Sequence, residues 1–375
     1  MPRCSSPRRR GPSCASLVRF LFAFEGVQLT VKPPRSPGAP VTAGRQQQRV
    51  FSGIQPTGRL HLGNYIGALS VWAANQARYD NIFCIVDLHA LTIPEAIRVE
   101  TLRAARRELA ALLLACGIDP ARSALFLQSY VPAHAELAWL LACVTPVGWL
   151  ERMTQYKSKA AALTTVGAGL LEYPVLQAAD ILLYQADLVP VGEDQRQHIE
   201  LARDIARRFH NLFRPVFTLP EPLVRPSGAR IMGLDDPTVK MSKSLAEERP
   251  GHAIALTDSP ERIRNAVMGA VTDSGRELRP GELSPGVANL LTIYEALSGR
   301  PRPDVEAEFA GQGYSAVKRA VADLVVSTLD PIRRRYLALS ADAGYLDRIL
   351  REGADRVHPI ARATLDRVKR LMGLV

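Results

Sequence analysis

The stretch VFSGIQPTGRLHLGNYIGAL, residues 50–69, decides the fold of this chain. It begins with a short apolar run, 50–54, that predicts a β-strand. Gly53, Gly58 and Gly63 then crowd a turn, and after Asn64 apolar residues recur at helical spacing. A strand, a glycine-rich turn and a helix in this order can bring backbone N–H groups and the positive end of a helix to a phosphate.

A second motif far downstream makes a phosphate site more specific. A glycine-rich turn alone would suit an ordinary loop between a strand and a helix about as well. Here the turn ends in His61-Leu62-Gly63-Asn64, and residues 240–244 read Lys-Met-Ser-Lys-Ser. Lysine carries a compact charge on a flexible stem, and serine donates hydrogen bonds, so both suit phosphate oxygens.

The two motifs together resemble the signatures of one enzyme family. HLGN resembles the first signature of the class I aminoacyl-tRNA synthetases, and KMSKS is identical to the second. The sequence around HLGN is similar to the bacterial tryptophanyl branch, in which Asn usually replaces the final His of the first signature. The resemblance extends from about residue 50 to the C-terminus.

Composition places few other limits on function. With 375 residues and 47% hydrophobic content, the chain can bury a large core and hold two domains. The formal net charge is +10, but residues 1–49 account for +8 of it, so the remainder is nearly neutral. We find no apolar run of about 18 residues that could span a membrane. The five cysteines are scattered without a CxxC pair, which favours reduced thiols in a cytoplasmic protein without a zinc site.

Residues 1–48 are rich in Arg, Pro and Ser and show no pattern of a fold. Their basic, acid-poor composition is similar to that of a transit peptide. We interpret them as a disordered basic extension. Because the family resemblance begins only near residue 50, we favour a translation start further downstream, so that this segment is not part of the working protein.

Strand and helix patterns alternate in the next part of the chain and predict a doubly wound parallel sheet, Rossmann-like, over residues 49–250. The predicted strands are 50–54, 81–86, 124–128 and 188–191, and the predicted helices are 94–116, 133–141 and 195–209. Residues 251–375 predict helices only, at 259–271, 284–297, 316–330, 331–340 and 354–372. The resemblance implies that this second part is an anticodon-binding domain whose last helix packs back on the catalytic domain.

The resemblance also implies an ATP site in the loops 51–64, 192–195 and 240–244. Lys240 and Lys243 would neutralise the leaving pyrophosphate, while His61 and Asn64 would contact the triphosphate. These four residues are the predicted catalytic group. The remaining predicted contacts to ATP are Gln55, Pro56, Thr57, Gly63, Gly192, Glu193, Asp194, Ile231, Met241, Ser242 and Ser244.

A helical ridge predicts the amino-acid pocket. Tyr173, Gln177, Asp180 and Tyr184 are spaced by four, three and four residues, so they share one face of a helix. A buried carboxylate needs a partner, and one interpretation is that Asp180 forms a salt bridge. The resemblance implies another, in which Asp180 accepts the indole N–H of tryptophan. Phe51, Val189 and Val191 would then wall the ring, and Tyr173, Gln177 and Gln195 would hold the ammonium and carboxylate groups. No role is assigned to Lys157 or Lys159.

The resemblance therefore implies activation of L-tryptophan by ATP, release of pyrophosphate and transfer to the 3′ end of tRNA(Trp). It further implies Mg²⁺ carried by ATP, no bound metal, a cytoplasmic homodimer and no membrane contact. Three alternatives remain: a tyrosyl synthetase, a small-molecule nucleotidylyltransferase and a catalytically silent RNA-binding paralogue. The helical part after KMSKS disfavours the nucleotidylyltransferase, and the intact motifs disfavour the silent paralogue.

Overall fold

The computed structural model describes residues 47–192, 195–223, 230–275 and 277–375, except for the side chains of Ala96 and Ser244. Within this part, five strands form one parallel sheet: Arg49–Ile54 (β1), Asp80–Ile85 (β2), Ala124–Leu127 (β3), Leu188–Pro190 (β4) and Glu221–Leu223 (β5). Their order across the sheet is β3-β2-β1-β4-β5. This topology and the helices that follow confirm the predicted doubly wound α/β fold with a helical C-terminal part.

The centre of the sheet positions the site. β1 pairs with β2 from Arg49 opposite Asp80 to Ile54 opposite Ile85, and with β4 at Val50 opposite Leu188. The strand order reverses between β1 and β4, and ligands of such sheets bind in the crevice beyond the carboxyl ends at this reversal. The loops that follow β1 and β4 therefore flank the expected binding crevice.

The sequence did not predict β5. Pro222 lies in the middle of this strand and cannot donate a hydrogen bond. The strand tolerates it because β5 lies at the edge of the sheet, where one side needs no partner.

The helices of the first part cover both faces of the sheet. A π-helical segment, Tyr65–Leu69, joins α1 to α2, and single 3₁₀ turns occur at His89–Thr92, Pro94–Ala96 and Gln128–Tyr130. The predicted helix start at Pro94 was wrong, because the backbone is extended at Ile97 and Arg98 before the helix begins. The α-helices are Leu62–Asn64 (α1), Ser70–Ala74 (α2), Val99–Ala115 (α3), Ala133–Ala142 (α4), Val147–Glu151 (α5), Thr154–Ala160 (α6), Ala168–Leu183 (α7) and Arg196–Leu212 (α8).

Two helices of the second part are longer than the sequence predicted. Pro331 lies inside one of them, Tyr314–Ser340, where the sequence predicted one helix to end and another to begin. The other, Ala343–Leu371, begins before the predicted start at residue 354 and contains Pro359, as the predicted helix did. Both prolines are exposed, so water can reach the carbonyl groups that they leave without a donor. The helices are Lys243–Glu248 (α9), Pro260–Met268 (α10), Pro285–Ser298 (α11), Arg302–Phe309 (α12), Tyr314–Ser340 (α13) and Ala343–Leu371 (α14).

The core lies on both faces of the sheet. Successive residues of β2 alternate between two apolar clusters: Phe83 and Ile85 belong to one, and Ile82 and Cys84 to the other. The first cluster joins α3 to α10, α11 and α13, while the second joins α4, α7 and α8 to the C-terminal half of α14. The helices after residue 250 therefore share their core with the sheet.

The last helix covers the edge strand β3 at close range. A Cβ atom built on Gly353 of α14 would lie 1.9 Å from the carbonyl oxygen of Leu125. The helix backbone can approach the strand this closely only because residue 353 has no side chain. The contact also covers an edge that would otherwise expose unpaired backbone groups. No helix among the described residues is long and apolar enough to cross a membrane.

Candidate active site

The loop after β1 turns sharply toward the crevice. Gln55 and Thr57 are exposed, whereas Pro56 is buried and anchors the turn. Gly58 has a φ of +61°, a left-handed conformation that a side chain would strain. The turn thus presents polar groups at the carboxyl end of the central strand, where the sequence predicted contacts to ATP.

His61 begins the helix at the end of this loop. Its backbone N–H donates to Oδ1 of Asn64, at 3.1 Å, and its ring packs on Gly63, where a Cβ would lie 3.1 Å away. Burial, together with the positive charges of Lys243 and Lys240, lowers the pKa of His61 from 6.5 to about 4. The imidazole is therefore neutral near pH 7, so it can form hydrogen bonds but does not act as a cation.

The second motif closes a hairpin. Met241 N–H donates to the carbonyl of Ile231 at 3.1 Å, and both side chains are buried. Ile231 also lies beside Gly63, with its Cβ 3.7 Å from the position of an added Cβ. Ser242 then begins α9, where its hydroxyl accepts from the N–H of Leu245 at 3.4 Å.

The two motifs lie together in the fold. Nζ of Lys243 donates to the carbonyl of Thr57 at 2.7 Å, and its aliphatic stem packs on Gly58. Burial lowers the pKa of Lys243. Two backbone hydrogen bonds, from Leu62 to Ile254 at 2.8 Å and from Leu256 to Leu60 at 3.0 Å, join the first motif to the chain segment that follows α9. Lys240 stays exposed at the rim, so one lysine is docked and the other faces solvent.

The buried His252 contacts the second motif at Ser242. Nδ1 of His252 lies 2.5 Å from Oδ1 of Asp235, and Nε2 accepts from the N–H of Ser242 at 3.4 Å. A Cβ on Gly233 would lie only 2.4 Å from the His252 ring, so this glycine gives the imidazole its space. Nothing in the local sequence pattern indicated this pair.

Asp180 lies at the bottom of the predicted pocket with three donors around it. Oδ1 accepts from Nε2 of Gln128 and from Nδ1 of His134, each at 2.6 Å, and Oδ2 accepts from Nε2 of His89 at 2.8 Å. Burial alone would raise the pKa of Asp180, but the hydrogen bonds from His134 and His89 outweigh it and lower the pKa. The ionised carboxylate retains one acceptor position at Oδ2 for a further donor.

Aromatic side chains extend this network. Nε2 of His134 lies 2.7 Å from the hydroxyl of Tyr184, which is fully buried. A neutral His134 that donates to Asp180 from Nδ1 can accept from Tyr184 at Nε2. Tyr184 in turn stacks on Phe51 of β1, with ring centroids 5.7 Å apart. Phe51 thereby links the pocket to the strand that leads into the first motif.

Tyr173 lies above the same pocket. Its hydroxyl lies 2.9 Å from Nε2 of His198 in α8, and burial raises the pKa of Tyr173 to about 12. Nζ of Lys159 lies 5.1 Å from the centre of the Tyr173 ring, and burial lowers the pKa of this lysine. Lys157 of the same helix is exposed. Of the two lysines left without a role, Lys159 is thus the one next to the pocket.

The other predicted residues fall into two groups. Val189 lies in the apolar cluster of Phe51, Val191 packs against that cluster, and Gln177 and Gln195 are half-buried. The carbonyl of Gly192 accepts a hydrogen bond from the backbone N–H of Gln195 at 3.0 Å. The predicted ribose contacts Glu193 and Asp194, and the side chain of Ser244, lie outside the described part of the structure.

The sequence analysis missed the partners of Asp180. His89, Gln128 and His134 are 91, 52 and 46 positions away from it along the chain. One signal could have found two of them. His89 and Gln128 follow the buried strands β2 and β3, and polar residues after parallel strands meet at one edge of the sheet.

Comparison with known proteins agrees with this geometry. Residues 43–330 match the model of a family described as tRNA synthetases class I (W and Y). A tryptophan–tRNA ligase of Gloeobacter violaceus is 53% identical over 329 residues, covering 88% of this chain and 97% of the relative. One from Wolinella succinogenes is 51% identical over 330 residues, covering 88% and 99%. The tryptophanyl-tRNA synthetase of Campylobacter jejuni, solved with ADP and tryptophan, superposes with a TM-score of 0.76 at 35% identity, covering 87% of this chain and 100% of that one.

Proposed function

Because the chain belongs to the class I tRNA synthetases of the tryptophan and tyrosine branch, we propose that it activates L-tryptophan with ATP and transfers it to tRNA(Trp). The observation that carries this proposal is the contact between the motifs. Nζ of Lys243 donates to the carbonyl of Thr57 in the loop after β1. His89, which donates to Asp180, follows the neighbouring strand β2. A phosphate site thus lies beside a pocket with a buried carboxylate.

The first step needs no protein nucleophile. A carboxylate oxygen of tryptophan forms a bond to the α-phosphorus of ATP, and the bond from that phosphorus to the bridging oxygen of the β-phosphate breaks. Tryptophanyl-adenylate and pyrophosphate result, and the 3′-terminal ribose of tRNA later takes the acyl group and releases AMP. The protein positions the reactants and stabilises the charge that develops on the leaving phosphates.

The residues of the two motifs take these roles. Lys243 and Lys240 neutralise pyrophosphate as it leaves, with Ser242 and Ser244 donating hydrogen bonds. The neutral His61 and Asn64 contact the triphosphate, and Ile231 packs against adenine beside Gly63. Gln55, Pro56, Thr57 and Met241 complete the nucleotide site, and Gly192, Glu193 and Asp194 hold the ribose.

Asp180 selects the amino acid. Its free acceptor position on Oδ2 receives the indole N–H, while Phe51, Val189 and Val191 enclose the ring. Tyr173, Gln177 and Gln195 hold the ammonium and carboxylate groups of the substrate. His89, Gln128 and His134 keep the carboxylate ionised and fixed in place.

ATP brings Mg²⁺ with it as part of the substrate. Among the described residues, no group of three or more His, Cys, Asp or Glu side chains could hold a metal ion. The phosphate oxygens and water supply ligands of the kind that Mg²⁺ prefers. We assign residues 49–250 to the catalytic domain and residues 251–375 to anticodon binding, and we place the enzyme in the cytoplasm, where it charges tRNA for translation.

We further propose that the enzyme is a homodimer. Trp139 of α4 is 67% exposed and Leu91 is 48% exposed, and both line an open cavity of about 300 Å³ between α4 and α7. An exposed tryptophan beside an apolar cavity suits a protein interface. Trp139→Glu should give monomers in sedimentation velocity, whereas Val271→Glu, at an exposed apolar position elsewhere, should not. Dimers of the Trp139 variant at wild-type stability would contradict this interface.

Pyrophosphate exchange tests the function directly. Exchange between ATP and labelled pyrophosphate, measured with each standard amino acid, should depend on tryptophan, and transcripts of tRNA(Trp) but not tRNA(Tyr) should be charged. Preference for tyrosine would show the tyrosyl enzyme instead. Exchange without any charging would favour a nucleotidylyltransferase, and no exchange at all would favour a silent paralogue.

A further inference from the structure

A cavity lined by arginines lies between α3 and α14. It has a volume of about 370 Å³ and is bounded by Arg103, Arg106, Arg107, Leu127, Tyr130, Asp347, Leu350 and Arg351. Four guanidinium groups therefore face a single carboxylate. Neither sequence motif contributes a residue to this cavity, and none of its residues has a role in the proposed activation of tryptophan.

The ion pairs of the cavity leave part of this charge uncompensated. Arg107 forms a fork on Asp347, with nitrogen–oxygen distances of 2.9 and 2.8 Å. Arg106 donates from Nη1 to the buried Asp87 at 3.0 Å, but its Nε is buried without a partner. Within the described residues, no carboxylate lies within 4 Å of Arg103 or Arg351. The hydrogen bonds from Arg107 lower the pKa of Asp347, and the nearby charge of Arg351 adds to this effect. One carboxylate thus faces four guanidinium groups, so the cavity keeps excess positive charge.

The arginine cavity lies near the proposed amino-acid pocket. Leu127 is the last residue of β3, so the cavity lies at the carboxyl edge of the sheet. Asp87, which holds Arg106, also accepts from the N–H of Ser129 at 2.9 Å, and the preceding Gln128 donates to Asp180. A short chain of hydrogen bonds thus separates the cavity from the amino-acid pocket.

The arginine cavity is a local basic cluster on a part of the chain that is otherwise nearly neutral. Outside residues 1–49 the formal net charge is only +2, so residues 50–375 do not attract polyanions as a whole. A protein of this kind binds nucleic acid through local basic clusters, and guanidinium forks match phosphate oxygens. A tRNA must also bring its 3′ end to this edge of the sheet to reach the adenylate.

We propose that this arginine cavity binds a backbone phosphate of the tRNA acceptor arm. The proposal rests on the proposed function, since it assumes a tRNA substrate. Arg103 and Arg351 contact the phosphate, while Arg106 stays paired with Asp87 and Arg107 with Asp347 as parts of the wall. Such contacts position the RNA and do not read its sequence.

The double variant Arg103→Ala/Arg351→Ala tests the proposal. Both side chains are exposed, so the fold should keep its wild-type melting temperature. The rate of tryptophan-dependent pyrophosphate exchange should stay within about twofold of wild type, because activation needs no tRNA. The kcat/KM for charging tRNA should fall about tenfold or more, and the slope of log Kd for tRNA against log salt should become shallower by about 1, since one phosphate contact is lost.

Arg122→Ala/Arg362→Ala is the matched control. It removes the same charge from exposed arginines that lie outside the cavity. Arg122 precedes the amino end of β3, and Arg362 lies on α14. This control should charge tRNA within about twofold of wild type. Equal losses in the two double variants would show a general effect of net charge and would overturn the proposal, as would an unchanged salt slope in the cavity variant.

A free anion is the other source of the same chemistry. Titration with inorganic phosphate, followed by calorimetry, distinguishes it from RNA. Phosphate binding that disappears in the cavity variant while tRNA charging stays at the wild-type rate would assign the cavity to a free anion and overturn the RNA assignment. Failure of the proposed function is separately visible, because wild-type enzyme would then show no tryptophan-dependent exchange, while tRNA binding could still be measured by filter retention.

Discussion

At the residue scale, burial decides what each polar group of the site can do. Asp180 is ionised although it is buried, because His134, His89 and Gln128 each donate to it. His61 is neutral at physiological pH, because burial and the positive charges of Lys243 and Lys240 lower its pKa to about 4. In the proposed function the two groups have different tasks, since the carboxylate of Asp180 accepts a hydrogen bond from tryptophan and the neutral His61 contacts the triphosphate.

His61 should make the folded state less stable in acid. Its pKa is about 4 in the folded chain and 6.5 as a free side chain, so between these values only the unfolded chain binds the proton. The free energy of unfolding should therefore decrease as the pH falls from about 6.5 to about 4, by about 2 kcal/mol between pH 7 and pH 5. Denaturant unfolding of wild type and His61→Gln at both pH values measures this. Equal losses in the two proteins would contradict it.

Lys243 should act mainly in the transition state. Lys243→Ala removes an ammonium next to the leaving pyrophosphate, and we expect kcat for pyrophosphate exchange to fall by about 10²-fold while KM for tryptophan hardly moves. Lys369→Ala, which removes a lysine paired with Glu136 on the surface, serves as the control. A higher KM for ATP at an unchanged kcat would mean that Lys243 binds ground-state ATP instead.

At the element scale, α14 connects the end of the chain to the sheet. Its N-terminal half belongs to one apolar cluster and its C-terminal half to the other, so this one helix spans both layers at the β3 edge. The sequence predicted only its second half, from residue 354, whereas the helix begins at Ala343. The tertiary contact at Gly353 has no local signal, since a glycine in a helix normally only weakens it.

Gly353→Ala should destabilise the protein strongly. The new Cβ would overlap the Leu125 backbone at 1.9 Å, so helix and strand must move apart, at a cost of about 3 kcal/mol or more. Gly344→Ala in the first turn of the same helix is the control, because its new Cβ would meet only Asp342 Oδ1, at 3.5 Å. Thermal unfolding should show a lower Tm for the first variant alone. Two variants with the wild-type Tm would disprove the close contact.

At the scale of the whole molecule, alternating strand and helix patterns predicted the doubly wound sheet, and two sequence motifs predicted the loops that the structure brings together. Hydrophobic period and turn residues are local properties, so they can be read from the chain. The partners of Asp180 and the His252–Asp235 pair depend on tertiary packing between distant segments, and no local period encodes them. Short edge strands such as β5 are missed for a different reason. A proline in the sequence argues against a strand, but an edge strand tolerates it.

The segment that precedes the family match should be dispensable. The match begins at residue 43 and the first strand at Arg49. Deleting residues 1–42 should therefore leave Tm and the rate of tRNA charging within about twofold of the full chain, because no predicted site residue lies there. A large loss of either in the shortened protein would show that the segment contributes to the enzyme.

The most direct measurement is pyrophosphate exchange with tryptophan, tyrosine and phenylalanine on wild type and Asp180→Asn. A site built to hydrogen-bond its substrate can reject an analogue without the donor by about 10⁴-fold. We predict a wild-type preference for tryptophan on this scale, and in Asp180→Asn a lower kcat/KM for tryptophan together with a smaller preference. Asp204→Asn, at an exposed carboxylate of α8, should leave both unchanged. A wild type that prefers tyrosine, or an Asp180→Asn variant with wild-type selectivity, would contradict the assignment of this pocket to tryptophan.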